Sequence, residues 1–147
     1  LFDQDRFKPC DSILKNVLKI DAGYFPALRL MASLKREMHE YDSADKYCDD
    51  LLNINTEAGY AIASKARTRL KQKKDTEALQ LALQSIQTDE LDPYNKATLI
   101  LAYHFNGDNE KRDALIEDCR TNDNATTKEF VEYATDVITG KVRFRPK

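Results

Sequence analysis

A side chain of modest size returns every 34 residues near the start of a helical pattern. Cys10, Ala44 and Ala78 lie 34 apart, and a further 34 reaches Arg112 in GDNEKRDALIEDC. The clearest copy is EYDSADKYCDDLLN, from Glu40 to Asn53, with Ala44, Tyr47, Cys48, Leu51 and Leu52 at three- and four-residue steps. That spacing places them on one face of an α-helix. A fixed period of this length points to repeated supersecondary units, each unable to bury its apolar face alone.

Between these copies the chain reads as eight helices. Phe7 to Ile20 carries an apolar stripe of Ile13, Leu14, Val17, Leu18 and Ile20, and Asp21-Ala22-Gly23 turns the chain. Tyr24 to Met38 has Pro26 in its first turn and Leu28, Met31, Ala32, Leu34 and Met38 as its buried side. After His39-Glu40-Tyr41, Asp42 or Ser43 is expected to cap a third helix ending near Ile54. Glu57 to Lys71 is less regular, because Lys65 and Arg69 interrupt the face of Ile62, Ala66 and Leu70. Thr76 to Thr88 turns Ala78, Leu79, Ala82, Leu83 and Ile86 inward.

Asp92-Pro93 is a strong start signal for the sixth helix, which Gly107 ends. Asn109 to Arg120 forms the seventh. Thr126 or Thr127 caps an eighth, running to about Thr139 with Phe130, Val131, Ala134, Val137 and Ile138 inward, and Gly140 ends it. Lys141 to Lys147, KVRFRPK, is expected to be an extended or disordered basic tail. Four Gly and four Pro in 147 residues are too few for an all-β fold. Short connections make neighbouring helices antiparallel, and helices this short hold only by packing on one another.

The helix–turn–helix period resembles the tetratricopeptide repeat family, over about Phe7 to Asn122. In 25–58, Leu28, Met31 and Ala32 fall on first-helix positions of that family, and Ala44, Cys48 and Leu51 on second-helix ones. Lys35 replaces its Tyr and Thr56 its Pro. In 59–92, Ile62, Ala66, Ala78, Ala82 and Ser85 follow the pattern, while Lys65 and Arg69 replace Leu and Tyr. In 93–122, Leu99, Ile100, Tyr103, Ile116 and Cys119 match; Lys96 and Arg112 depart. Residues 6–22 look like the second helix of a truncated repeat, 125–139 like a capping helix, and 140–147 like a tail. The resemblance implies one all-α domain, a right-handed α-solenoid of stacked antiparallel hairpins. The chain opens on Leu1, with no signal-peptide pattern and with an unpaired first helix, which reads as an N-terminal cut through a longer array.

Nothing assembles into a catalytic constellation. His39 and His104 lack acid and thiol partners at a useful spacing, and no Gly-rich phosphate loop occurs. Asp49-Asp50 and Asp89-Glu90 read as solvated faces, not metal ligands. The three Cys fall on packing positions and form no CxxC, so neither a disulfide framework nor a thiolate metal site is expected; a reducing, cytoplasmic setting is favoured. No cofactor is implied. Lys plus Arg is 23 against 25 Asp plus Glu, a formal net charge of -2, which argues against nucleic acid as the main partner. No apolar run is long enough to span a bilayer.

The resemblance instead implies a surface. The family's geometry puts Arg29, Ser33, Arg36, Tyr60, Ala63, Arg67, Lys71, Tyr94, Thr98, Leu101 and His104 on or near a concave wall of first helices. The expectation is a non-catalytic protein–protein interaction module, a scaffold or adaptor that binds a peptide of acidic character there; the bland alternative is an ordinary solvated face. Capture of a C-terminal carboxylate is not expected, since of the matching positions Arg29, Ser33, Ser64, Tyr94 and Thr98 only Arg29 has the right chemistry. Two rivals stand beside it. One is a structural or self-association segment of a longer repeat protein. The other is a regulatory helical domain of an enzyme or transcription regulator, whose basic tail touches nucleic acid or an acidic membrane.

Overall fold

The structure is a computed structural model that describes residues 4–121 and 124–146. A single 3-10 turn, Gln4–Arg6, leads into α1 (Phe7–Ile20), α2 (Phe25–Glu37), α3 (Tyr41–Ile54) and α4 (Gly59–Lys71). Then come α5 (Asp75–Thr88), α6 (Pro93–Phe105), α7 (Asn109–Arg120) and α8 (Ala125–Ile138). Among the described residues there are eight α-helices and no strand. None is long and apolar enough to cross a membrane.

The helix starts keep the period of the sequence. Helices α1, α3, α5 and α7 begin at 7, 41, 75 and 109; α2, α4 and α6 begin at 25, 59 and 93. Two kinds of turn repeat with them. Helices α2, α4 and α6 each end on a left-handed residue, His39 (φ 63°), Lys73 (φ 61°) and Gly107 (φ 77°). The following N–H reaches back to close the helix: Glu40 to the Lys35 carbonyl, Lys74 to Arg69, Asp108 to Tyr103. On the other side, Asp21, Asn55 and Asp89 each accept, on a side-chain oxygen, the N–H two residues on.

Two of the expected caps are corrected. The chain leaves His39 already aimed into α3, so the helix starts at Tyr41, and its N-cap is Glu40 without a side-chain bond; neither Asp42 nor Ser43 caps it. At α8 the cap is Asn124, whose Oδ1 accepts from the N–H groups of Thr126 and Thr127. Asp92 caps α6 as expected, accepting from Tyr94 and Asn95.

Consecutive helices pack on one another throughout, α2 on α3 and α4 on α5 most extensively. Helices α2, α4, α6 and α8 also touch in succession, whereas α1, α3, α5 and α7 make no contact among themselves. Small residues sit at the close approaches: Ala44, Ala61, Ala66, Ala78, Ala82, Ala97 and Ala102 are all 0% exposed. Cys48 and Cys119 fill similar positions, and burial pushes both thiols above their ordinary range, away from the nucleophilic thiolate.

Three residues expected inside are not. Ile13 and Ile20 are 62% and 89% exposed, because α1 touches only α2 and the short turn before it. Leu83 is also exposed, on the side of α5 away from α4 and α6. The interruptions at Lys65 and Arg69 turn out to be bridges. Lys65 reaches Asp49 on α3, and Arg69 ties α3 to α5 through Asp45 and Glu77. The tail is not free either. Phe144 is buried, with its ring 5.7 Å from that of Phe105, and Arg145 bonds Asp75 and the Leu70 carbonyl.

Candidate functional site

On the side shared by α2, α4, α6 and α8 there are two adjoining clefts. The smaller, about 330 Å³, lies between α2, α4 and α6. Arg29 covers the Tyr60 ring at 4.3 Å to its centroid, and Phe25 meets the same ring edge-on at 5.9 Å. The Tyr60 hydroxyl is buried without a hydrogen-bond partner. Burial raises its pKa above the ordinary value, with Arg29 working the other way.

The larger cleft, about 710 Å³, is bounded by α2, α4, α6, α8 and the tail. Ser33 and Tyr94 line both clefts and join them. Its basic side comes from Arg36 on α2 and from Arg67 and Lys71 on α4. Its aromatic side comes from Tyr94, Phe130, Tyr133 and Phe144, with Tyr94 and Phe130 edge-to-face at 5.9 Å.

Each arginine reaches from its own helix to the next of this set. Arg36 donates from Nη1 to the Ser64 hydroxyl at 2.9 Å and from Nη2 to the Ser33 hydroxyl at 3.4 Å. Its Nε is buried and finds no partner. Arg67 donates from Nε to the Thr98 hydroxyl at 2.8 Å, and its guanidinium lies 3.9 Å from the Tyr94 ring centroid and 5.8 Å from that of Tyr133. Arg36 and Arg67 are 5% and 6% exposed, yet among the described residues neither forms an ion pair.

Lys71 donates to the Phe144 carbonyl and lies 3.5 Å from Glu37 Oε1. Burial pushes Lys71 below the ordinary lysine range; Glu37 opposes this, and the charges of Arg36 and Arg67 add to it. Burial likewise lowers Arg67. For Tyr94 burial acts against ionisation, but Arg67 and Arg36 outweigh it and hold the phenol below its ordinary value.

Of the residues expected on this wall, Arg29, Ser33, Tyr60 and Tyr94 line the smaller cleft, and Ser33, Arg36, Arg67, Lys71 and Tyr94 the larger. Ala63, Thr98 and Leu101 are corrected to the interior, each 0% exposed. Helix α8 packs across α6 and closes that face, leaving Thr98 as a buried support for Arg67. His104 turns instead toward α7, with Nδ1 2.9 Å from Arg112 Nη1. Burial, then Arg112 and Arg145, lower its pKa. The contributions of Glu129, Phe130, Tyr133 and the tail segment Val142 to Phe144 were not anticipated. Extending the 34-residue register one step beyond α6 would have placed α8 beside it; nothing in the sequence signals the return of the tail.

No family model, no curated protein and no solved structure matches this chain.

Proposed function

We propose that the chain is a tetratricopeptide-like interaction module, a right-handed α-solenoid whose helices α2, α4, α6 and α8 form the inner wall. On this reading it binds an extended, acidic segment of a partner protein across the two joined clefts and catalyses no reaction. The fixed helix spacing and the successive contacts of α2, α4, α6 and α8, without contacts among α1, α3, α5 and α7, support a curved stack. The observation that carries the reading is the pairing of basic and aromatic side chains along one cleft system, from Arg29 and Tyr60 to Arg67, Lys71 and Tyr94. Rings supply rigid apolar contact at low entropic cost, and unpaired guanidinium groups supply attraction for carboxylates.

The test is fluorescence anisotropy with a labelled dodecapeptide of alternating Glu and Leu, against a Lys–Leu control. The acidic peptide binds with an affinity that falls as salt rises. Replacing Arg29, Tyr60 and Arg67 together by Ala weakens it about tenfold or more, at unchanged helical content by circular dichroism. Binding that survives the triple substitution rejects the groove.

A self-association segment is the second reading. It rests on α1, which leaves Ile13 and Ile20 exposed. Light scattering across concentrations separates the two: a monomer at all concentrations removes the second.

A further inference from the structure

Buried cations normally stand beside carboxylates, because the cost of removing a charge from water is otherwise unmet. Arg36, Arg67 and Lys71 line one cleft and have Glu37 as the one carboxylate in contact with any of them among the described residues. Three cations and one anion leave a local charge of 3 − 1 = +2. The other two charged residues of the lining, Glu129 and Arg143, are exposed at the rim and cancel. Arg36 adds a second observation: its side chain is more than nine-tenths buried, it borders the cleft, and its Nε donor has no acceptor.

We propose that this basic floor is a subsite for a phosphoryl group carried by a side chain of the bound peptide, with Arg36, Arg67 and Lys71 as its ligands. The assignment rests on the peptide-binding reading above and specifies its chemistry. A dianion matches the +2 charge, whereas a single carboxylate leaves one cation uncompensated. Guanidinium groups suit phosphoryl oxygens because their N–H donors diverge in a plane. Tyr94, Phe130 and Tyr133 give the carrying side chain apolar walls, and the cleft of about 710 Å³ has room for a modified residue with its backbone. Burial and the charges of Arg36 and Arg67 hold Lys71 below the ordinary lysine range, and an arriving anion raises it again.

Isothermal titration of the full chain tests this with four probes: N-acetyl-phosphotyrosine amide, N-acetyl-phosphoserine amide, inorganic phosphate and N-acetyl-glutamate amide. At least one phosphorylated amide binds ten times more tightly than the glutamate amide, and more tightly than inorganic phosphate. Arg67→Met and Lys71→Gln each weaken it about tenfold, while Lys8→Ala on α1 leaves it unchanged. Circular dichroism accompanies each variant, and Lys71→Gln, nearer the cleft edge, decides the matter if Arg67→Met does not fold. Equal affinity for phosphorylated and glutamate amides, or indifference to both substitutions, overturns the subsite; the Glu–Leu dodecapeptide then still judges the groove separately. Inorganic phosphate binding as tightly as the amides overturns the assignment to a peptide side chain.

Discussion

Replacing Gly59 by Ala probes a close approach between α4, the end of α5 and the start of α6. Gly59 opens α4 and is buried against the end of α5 and the start of α6. A Cβ there would stand 2.8 Å from Asn95 Nδ2 and 3.0 Å from the Ser85 carbonyl oxygen. The carbonyl belongs to a packed helix and yields little, so Asn95 must move. Asn95 is 0% exposed and donates to the carbonyls of Ser85 and Asp89 at 3.3 and 3.2 Å. Losing both bonds costs about 1 kcal/mol each, and a buried amide left without acceptors adds to that. Against this, Ala gains less than the ~1 kcal/mol it gains over Gly in a helix interior, since the site is the first helical residue. The balance is a loss of about 2 kcal/mol, or roughly 4–8 °C in Tm for a chain of this size. Urea denaturation followed by circular dichroism reads it. Gly23→Ala is the contrast: the nearest atom to its Cβ is 3.6 Å away, which is ordinary contact, so that variant keeps or gains stability. In an Asn95→Ala background the effect of Gly59→Ala shrinks by more than half. A Gly59→Ala protein as stable as the parent would refute the close-approach argument.

Two further predictions concern the turns and an ion pair. Lys73→Gly raises stability by about 0.5–1 kcal/mol, because a left-handed backbone strains any residue with a Cβ; His39→Gly gains less, since it forfeits the 2.9 Å bond between His39 Nδ1 and the Tyr41 hydroxyl. Urea midpoints check both, and a loss in Lys73→Gly contradicts the turn assignment. Burial disfavours the Asp11 carboxylate, but hydrogen bonds and charge from Lys15 and Lys35 outweigh it and hold its pKa below the ordinary 3.8. A depressed carboxyl contributes stability above its unfolded pKa and loses it as pH falls through the folded one. Stability therefore drops on acidification below about pH 4, and Asp11→Asn flattens that part of the curve; an unchanged acid limb in the variant counts against the pair.

The period was readable because it is written in size: Ala44 and Ala78 stand where helices touch, and only small residues fit. The bounds of α1 and α7 and the Asp92–Pro93 start followed from local chemistry and match the structure. Local pattern cannot say what covers a face. The stripe of α1 reads as though flanked on both sides, yet Ile13 and Ile20 face solvent. Thr98 and Leu101 occupy positions that look like groove in the register of the first two hairpins, but Leu101 is buried in a cluster shared with Val131, Ala134 and Val137 of α8, and Thr98 is buried against Arg67. The left-handed turns at His39 and Lys73 carried no glycine to announce them; only Gly107 did. Arg36, Arg67 and Lys71 were visible as basic wall residues, but their burial, and the lack of a paired carboxylate at Arg36 and Arg67, depend on three-dimensional neighbours.

That lack becomes more telling beside the charges that are paired. Lys35 and Arg69 are one period apart, as are Asp11 and Asp45, and the structure joins them as Lys35–Asp11 and Arg69–Asp45. One period on, Tyr103 and Leu79 take the same two places and pack against a shared apolar cluster. The slot thus accepts an ion pair or a ring with an aliphatic side chain, and shape is what the repeat preserves. In both charged versions a cation with little exposure has been given a carboxylate at its own level in the stack. Arg36 is the next residue after Lys35 and is no more exposed, yet it meets only hydroxyl and carbonyl oxygens. Arg67, two residues before Arg69, meets a hydroxyl, a carbonyl and two rings. Carboxylates are thus supplied to Lys35 and Arg69 and withheld from Arg36 and Arg67, the two guanidinium groups of the cleft, while Lys71 beside them has Glu37. That difference in partners, at similar burial, is the physical reason to assign the cleft's cations to charge arriving from outside the chain.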